Sequence, residues 1–559
     1  GDAEASFFNQ TMDGYFAGSI TELGNNKRGN IAHNATTRIQ LSQNVEFDER
    51  NTRIMREFIN EKCREIVAKV PDAYFYPYSP VYASYVPPEL QDQIANLKYL
   101  AEYSADLLVN PVKVGGIPCA LIGCEGMLST TILTELVLQP LMSIPPQQNS
   151  QALFTHIQQE MLLSMDRPTV WNYDELFRLL HSGFAILLAE GETKALAFGV
   201  QGYEKRSINE PSGEANLLGA HEGFTEAIRT NMSMLRRRMK TPLLKFELSS
   251  MGSLSKTDIC LCWLTDRVPP KLLQDIRNSL ASAELETVLS TGYIQPFLEQ
   301  KRNFFDTVST TERPDVLAAK LLEGRVAILV DGNPFALVVP KLFVESFQTL
   351  DDYNFKPWYA CFLRWVKYAA FLLSLLLPAL YVAVSLHHPE MLNRTLLLLL
   401  SHAETDEPLS LPMEAIGVLL MYEVIREAGL RLPKAVGGAV GLIGGLIIGD
   451  AAVASGLIST PMLTMAAISV TAGFIIPDLN SIITVFRIAF ILAGGFWGLF
   501  GIGLLGMIVL LRICSAEDYG FPVTAPVSPF YRRGMRDVLT RVNFRKMQSG
   551  NFTVEEYHE

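Results

Sequence analysis

Familiar catalytic signatures are missing from this sequence. It has no Gly-Lys-Ser/Thr phosphate loop, no His-Glu-x-x-His zinc helix and no Gly-x-Ser-x-Gly nucleophile elbow. No residue set supports an enzyme reading, and no cofactor is expected. Basic charge is also in deficit: 47 Lys and Arg against 58 Asp and Glu leave a net charge of −11. That balance argues against nucleic acid as a partner, because neutralising phosphates needs a basic face. The seven cysteines are odd in number and form no paired framework, so they read as reduced thiols of a cytosol-facing protein. Cys260-Leu-Cys262 is a close pair, but positions two apart share one face of a strand. No second pair at metal-ligand spacing accompanies it, so buried thiols are expected rather than a metal site. The N-terminus shows no basic stretch followed by an apolar run, and no signal peptide is expected.

What is present is unevenly spread. The chain has 559 residues, too many for one domain of about 100–200 residues. Its mean hydropathy is positive although 19% of residues are charged. Nearly all of that charge lies before Lys356 or after Leu511, and the stretch between is rich in Leu, Ile, Gly and Ala. The expected fold is an α/β soluble region of two repeated lobes followed by an all-α multi-span transmembrane domain. Residues 1–106 are polar and irregular, with a Pro- and Tyr-rich stretch from Tyr74 to Pro88 and a helix-like segment from Asp48 to Lys69. They read as a partly ordered extension.

From about Leu107 the pattern tightens. Ile117-Pro-Cys-Ala-Leu-Ile-Gly123 predicts a strand, Ser129 to Leu141 an amphipathic helix, and Ser182 to Phe198 a hairpin about Glu190-Gly-Glu-Thr193. The hairpin returns from Gly324 to Val339. Gly183 and Gly324, Gly191 and Gly332, and Ala195 and Ala336 are each 141 residues apart, and the same offset is expected to lay Cys119 on Cys260. Two matches at one offset argue for a duplicated α/β unit, with lobes at 107–208 and 243–355. A cleft between such lobes either takes a small ligand or is a by-product of a scaffold.

Residues 209–242 are expected to connect the lobes through an amphipathic helix, since Phe224, Ile228, Met232 and Leu235 fall at helical spacing. Arg229 and Arg236 share a side of it, and Arg237 and Arg238 extend its basic end, where cations complement the helix dipole. These arginines either bind a phosphate or headgroup or brace lobes or subunits together.

Residues 356–514 are expected to form about six spans, and residues 515–559 a cytoplasmic tail. Ala360 to Leu386 is long enough to cross a bilayer. Arg364 and Lys367 at its start, with the later arginines of the tail, place both chain ends on the cytoplasmic side. Pro412 to Leu432 either crosses or lies along the interface. Gly437, Gly441 and Gly445 form a small-residue stripe for close helix packing. Leu479 to Ile513 has room for two short spans bent near Gly494, Gly495 and Gly498. Ionisable side chains at such depth usually face a bundle interior or a water path. Glu414, Glu423, Asp450 and Arg487 are therefore the ion-pathway candidates, with interhelical pairing as the alternative.

Long runs of this sequence resemble the A subunits of GerA-family spore germinant receptors. They include Glu222-Gly-Phe-Thr-Glu-Ala-Ile-Arg-Thr-Asn231 with Leu235-Arg-Arg-Arg238, and Glu312 to Gly332. Lys256-Thr-Asp258, Asp351-Asp-Tyr353, Pro412 to Ile416, Arg426 to Pro433 and Ile448 to Val453 continue the pattern. The resemblance covers about 107–530. The family commonly carries Gln where Asp450 stands. The resemblance implies a multi-pass protein of the inner spore membrane, in contact with membrane lipid. It implies a homo-oligomer that conducts ions once a small-molecule nutrient is sensed. It also implies a B-type transporter-like subunit and a C-type lipoprotein subunit as partners.

Overall fold

The computed structural model describes residues 86–161, 166–202, 214, 218–299, 303–404, 407–431, 445, 447, 449–543 and 554. Two compact units divide them. One holds residues up to Glu102 with Leu108–Gly123 and Thr130–Val200; the other holds Tyr103–Leu107, Cys124–Ser129 and everything from Gln201 onward.

The first unit begins with helix α1 (Leu90–Leu100), followed by β1 (Leu107–Val114) and β2 (Ile117–Cys124). A helical stretch from Thr130 to Met142, π-helical over Thr134–Leu138, and α2 (Ser150–Gln159) come next. Then follow β3 (Thr169–Val170), α3 (Tyr173–Leu180), β4 (Phe184–Ala189) and β5 (Ala195–Gly199). The sheet order is β1-β2-β4-β5-β3. Helix α3 starts where the Asn172 side chain accepts the Glu175 N–H, an ordinary N-cap. It turns Leu176, Phe177 and Leu180 inward. Strand β4 is apolar throughout and wholly buried, as an interior strand covered on both faces must be.

The second unit repeats this order with α4 (Ile228–Arg238), β6 (Leu244–Met251), β7 (Thr257–Leu264), α5 (Pro270–Ala281), β8 (Ser309–Thr311), α6 (Pro314–Leu322), β9 (Val326–Val330) and β10 (Ala336–Val339). Its sheet runs β6-β7-β9-β10-β8, the same arrangement. Gly183 and Gly324, at φ 87° and 86°, both adopt the left-handed backbone that glycine tolerates best, as do Gly191 and Gly332 at 84° and 80°. Leu187 pairs with Leu196 in one hairpin, and Ile328 with Leu337 in the other, preserving the 141-residue spacing. The strand before the hairpin departs from it. Ala120 faces Leu188, whereas Cys260 faces Leu329, so Cys260 corresponds to Ala120 and not to Cys119. The connection between that strand and the hairpin differs by one residue in length, which sequence alignment at constant offset conceals.

Each repeat opens with a helix held from the hairpin turn. The Leu90 N–H donates to the Glu190 carboxylate at 2.9 Å, and the Ile228 N–H to the Asp331 carboxylate at 3.1 Å. The adjacent turn glycines donate to Pro88 and to Glu226, both at 2.7 Å. Helix α1 lies within the span read as an N-terminal extension, and α4 within the span read as a connector. Carboxylates at helix N-termini satisfy free N–H groups and complement the dipole.

Among the described residues, helices α7 (Pro357–His387), α8 (Arg394–Glu404), α9 (Leu411–Arg431), α10 (Thr460–Gly473) and α11 (Asn480–Cys514) follow in the second unit, with residues 449–454 also helical. Among the described residues, two helical stretches are long and apolar enough to cross a membrane: Pro357–His387 and Pro477–Cys514. Helix α11 is broken at Gly498, whose φ of 61° and ψ of −147° are not helical. A Cβ at Gly494 would lie 3.3 Å from Ile502, and one at Gly506 would lie 3.9 Å from Phe490. Residues eight apart on a straight helix are separated by about 12 Å, so the chain folds back on itself as a helical hairpin. Ala379, Val382 and Ala383 of α7, Ala415 and Val418 of α9, Met462 and Ala466 of α10, and Phe490 and Ile502 of α11 share one core cluster.

Past Cys514 the chain returns to the second sheet. Tyr519, Phe521, Ala525 and Val538 join Ile259, Leu261, Trp263, Ile328 and Leu337 in a single buried cluster. The segment read as a cytoplasmic tail thus supplies part of the core of the second lobe.

Candidate functional site

The polar positions inside the helical region are held by specific partners. Glu414 is buried in the first turn of α9, and its carboxylate accepts both the Ser459 N–H at 2.6 Å and the Ser459 hydroxyl at 2.7 Å. That hydroxyl in turn accepts the Met462 N–H at 3.2 Å, so Glu414 and Ser459 together cap α10. Glu423 pairs with Arg426 at 2.6 Å and accepts the Thr484 hydroxyl at 3.1 Å. Arg487 is buried and donates through Nε to the Ser374 carbonyl at 2.7 Å and through Nη2 to the Ser469 carbonyl at 3.4 Å. Asp450, by contrast, is exposed. These four side chains do not converge on one site. Glu414 lies with Ser459 at one end of α9, and Glu423 lies further along it beside the start of α11. Gly437 and Gly441 fall outside the described residues. Gly445 is exposed, and a Cβ built there meets no described atom within 4 Å.

The arginines of α4 have separate partners within the second unit. Arg236 is fully buried and makes a two-bond contact with Asp106, Nε to Oδ2 and Nη2 to Oδ1, both at 2.9 Å. Its Nη1 donates to the Thr241 and Leu244 carbonyls, and its guanidinium lies 4.6 Å over the Phe246 ring. Burial acts against its charge most strongly, but the charge and hydrogen bonds of Asp106 together with the nearby Cys124 and Cys262 outweigh it, and the Arg236 pKa is raised. Arg237 and Arg238 both donate to Glu222, and Arg229 donates to Glu125 at 2.6 Å. With its donors satisfied by protein groups, Arg236 is a positioning residue of the fold. Burial disfavours the reactive thiolate at two of the cysteines nearby. Burial raises Cys124 and Cys260 well above the ordinary thiol range, with Asp106 adding to the effect at Cys124 and Cys262 at Cys260. The Cys260 and Cys262 sulfurs lie 3.8 Å apart, and no group of metal-binding side chains occurs among the described residues.

A charged cluster that the sequence did not reveal sits at the entry to α7. Asp352 is fully buried and accepts from Arg364 Nε at 3.2 Å and from Lys367 Nζ at 3.0 Å. Arg364 also pairs with Asp537 at 2.8 Å, and the Tyr353 hydroxyl donates to the same aspartate. Arg541 donates to the Tyr353 and Phe355 carbonyls at 2.9 and 2.8 Å. Arg364 and Lys367 were visible as charges interrupting an apolar stretch. Asp537, the second carboxylate partner of Arg364, is too distant in sequence for any spacing rule to reach.

Comparison with known proteins adds the following. Residues 95–551 match the family described as Bacillus/Clostridium GerA spore germination protein. The chain is 35% identical over 464 residues to spore germination protein KA of Bacillus subtilis (strain 168), covering 82% of this chain and 85% of that protein. It is 32% identical to the uncharacterized membrane protein YfkQ of the same organism, covering 82% and 89%. Among solved structures, the N-terminal domain of the A subunit of the Bacillus megaterium spore germinant receptor GerK3 matches at 29% identity. It covers 46% of this chain and 98% of that chain, with a TM-score of 0.37.

Proposed function

Because this chain belongs to the Bacillus/Clostridium GerA spore germination family, we propose that it is the A subunit of a germinant receptor, forming an oligomeric, nutrient-gated ion channel. In this reading it sits in the inner spore membrane with both chain ends in the cytoplasm, and its work is conduction rather than catalysis. It acts with a B-type transporter-like subunit and a C-type lipoprotein subunit. Six crossings belong to the same proposal. Helix α9 starts beside the α11 bend, where a Cβ at Gly495 would touch Pro412, and its Glu423 reaches Thr484 near the opposite end of α11. Helix α10 begins back at Glu414. An even count then returns the chain to the side from which α7 started.

The observation that carries the pathway is Asp450, a carboxylate exposed on a helix within the apolar region. At membrane depth a carboxylate costs roughly 2.5–3.5 kcal/mol unless water or a partner accompanies it. Repeated around a ring of subunits it favours cations. The test is conductance of the reconstituted oligomer, with Asp450→Asn altering selectivity or unitary conductance while assembly is unchanged. A second reading, a non-conducting membrane scaffold or regulatory subunit of a germination transporter complex, has its own support, since Glu414 and Arg487 are both hydrogen-bonded within one chain. An oligomer that assembles as expected yet passes no current would establish that second reading.

A further inference from the structure

We infer that the C-terminal segment around residues 527–541 and the entry turns of α7 form one docking surface for anionic phospholipid headgroups. The inference rests on α7 crossing the membrane and not on the receptor reading. Trp358, Phe362 and Trp365 are four and three residues apart, which places them along one helical stripe, and they are 71%, 57% and 60% exposed. Aromatic rings at the end of a span belong at headgroup depth, where one side of the ring is apolar and the other wet. The Trp365 indole N–H donates to the Leu539 carbonyl at 2.9 Å, so the returning segment lies against this stripe.

That segment carries the complementary charge. Arg532, Arg533 and Arg536 are exposed, and none has an ion pair among the described residues. Phe530 and Leu539 flank them, 68% and 48% exposed. The backbone is fixed rather than trailing. Arg364 pairs with Asp537, the Gln348 side chain donates to the Asp537 carbonyl, and Val538 is buried in the second lobe. Three unpaired guanidinium groups and exposed apolar side chains on a rigid turn, beside an aromatic span entry, suit an anionic leaflet. A merely solvated basic turn would not need Phe530 and Leu539 exposed among its arginines. Each arginine near such a surface favours association by about fivefold, and the attraction falls with salt.

The full chain in nanodiscs tests this. Hydrogen exchange over residues 527–541 is expected to slow at least fivefold when phosphatidylglycerol is added to phosphatidylcholine nanodiscs. High salt and the triple variant Arg532→Gln, Arg533→Gln, Arg536→Gln should both abolish the slowing, whereas the triple Lys variant should retain it. Unchanged protection of β7 and β9, which pack in one core with Val538, certifies that the Gln variant is folded. Equal exchange in the two lipids, or slowing that survives the Gln substitutions, overturns the proposal. Slowing by inorganic phosphate in phosphatidylcholine alone overturns the lipid assignment. None of these readouts needs current, so they stand apart from the channel test.

Discussion

The two repeats have sheets of the same strand order and differ in what packs around them. Phe184 opens β4 in the first lobe as a buried aromatic; 141 residues on, the position holds Arg325, equally buried. Leu179 corresponds in the same way to Lys320, and Asn172 to Arg313. Arg325 donates to the Pro340 carbonyl at 3.0 Å and pairs with Glu345 and Glu323. Lys320 lies 3.3 Å from Glu345. Arg313 pairs with Asp315 at 2.8 Å and donates to the Ala220 carbonyl at 2.7 Å. An apolar interior needs only shape and volume to be satisfied. A charged interior needs named partners, and losing one leaves a bare charge in low dielectric. The second lobe is therefore conditional on its partners, and separately on the segment beyond Cys514, which shares its apolar core.

Three measurements sharpen or break that contrast. The largest effect is expected from ending the chain at Cys514. This removes Tyr519, Phe521 and Val538 from the second core, and deleting one large buried aromatic costs about 3–5 kcal/mol. Amide exchange resolved by peptide should show the second lobe unfolded and the first still protected. Full protection of β7 and β9 in the truncated chain would remove the dependence.

Next comes Glu345→Gln, expected to cost about 3–5 kcal/mol as the loss of one partner from a buried pair. Replacing both partners, Arg325→Phe with Glu345→Leu, should recover most of it by restoring an interior like that of the first lobe. Thermal unfolding of the detergent-solubilised protein reads both. Burial would raise the Glu345 pKa, but Arg325 and Lys320 outweigh burial and hold it below the usual value of 4.5. A depressed folded value means that stabilisation is complete above the ordinary carboxylate range and lost as pH falls through the folded pKa. The gap between wild type and Glu345→Gln should therefore persist at neutral pH and close in acid. A gap independent of pH would mean that the carboxylate charge is not what matters.

The smallest effects test what the lobes share. Glu190→Ala and Asp331→Ala each remove the carboxylate that receives the first N–H of an opening helix, and each should cost about 1 kcal/mol. Closely similar losses are expected because the two contacts are equivalent. A large asymmetry would show that one opening helix is held mainly by other means.

The duplication was legible because glycine at a left-handed turn leaves a letter in the sequence, as at Gly183 and Gly324. The bend near Gly498 was legible for the same reason. The opening helices were harder to assign to their lobes, since α1 and α4 are related by 138 residues rather than 141. Shifts of one or three residues accumulate in connections where nothing constrains length. In the helical region the types of residue were readable and their partners were not. Glu414 announced a buried carboxylate, but nothing near it in sequence indicates that it caps a helix beginning at Thr460. Asp537 meeting Arg364 is the extreme case, a contact set by the chain's return and by no local periodicity.

The break at Gly498 bears on how the protein is made. Its arms, Asn480 to Trp497 and Leu499 to Cys514, are each shorter than the roughly 20 residues that span a bilayer unaided. In the six-crossing reading proposed above, neither arm is a good candidate for insertion by itself during synthesis, and the pair would offer the insertion machinery one apolar wedge with both ends on the same side. A Cβ at the tip would come within 2.9 Å of His387, so the folded hairpin must also nest against the end of a helix made a hundred residues earlier. In that reading assembly of this region has an order: α7 must be waiting before the last hairpin can seat.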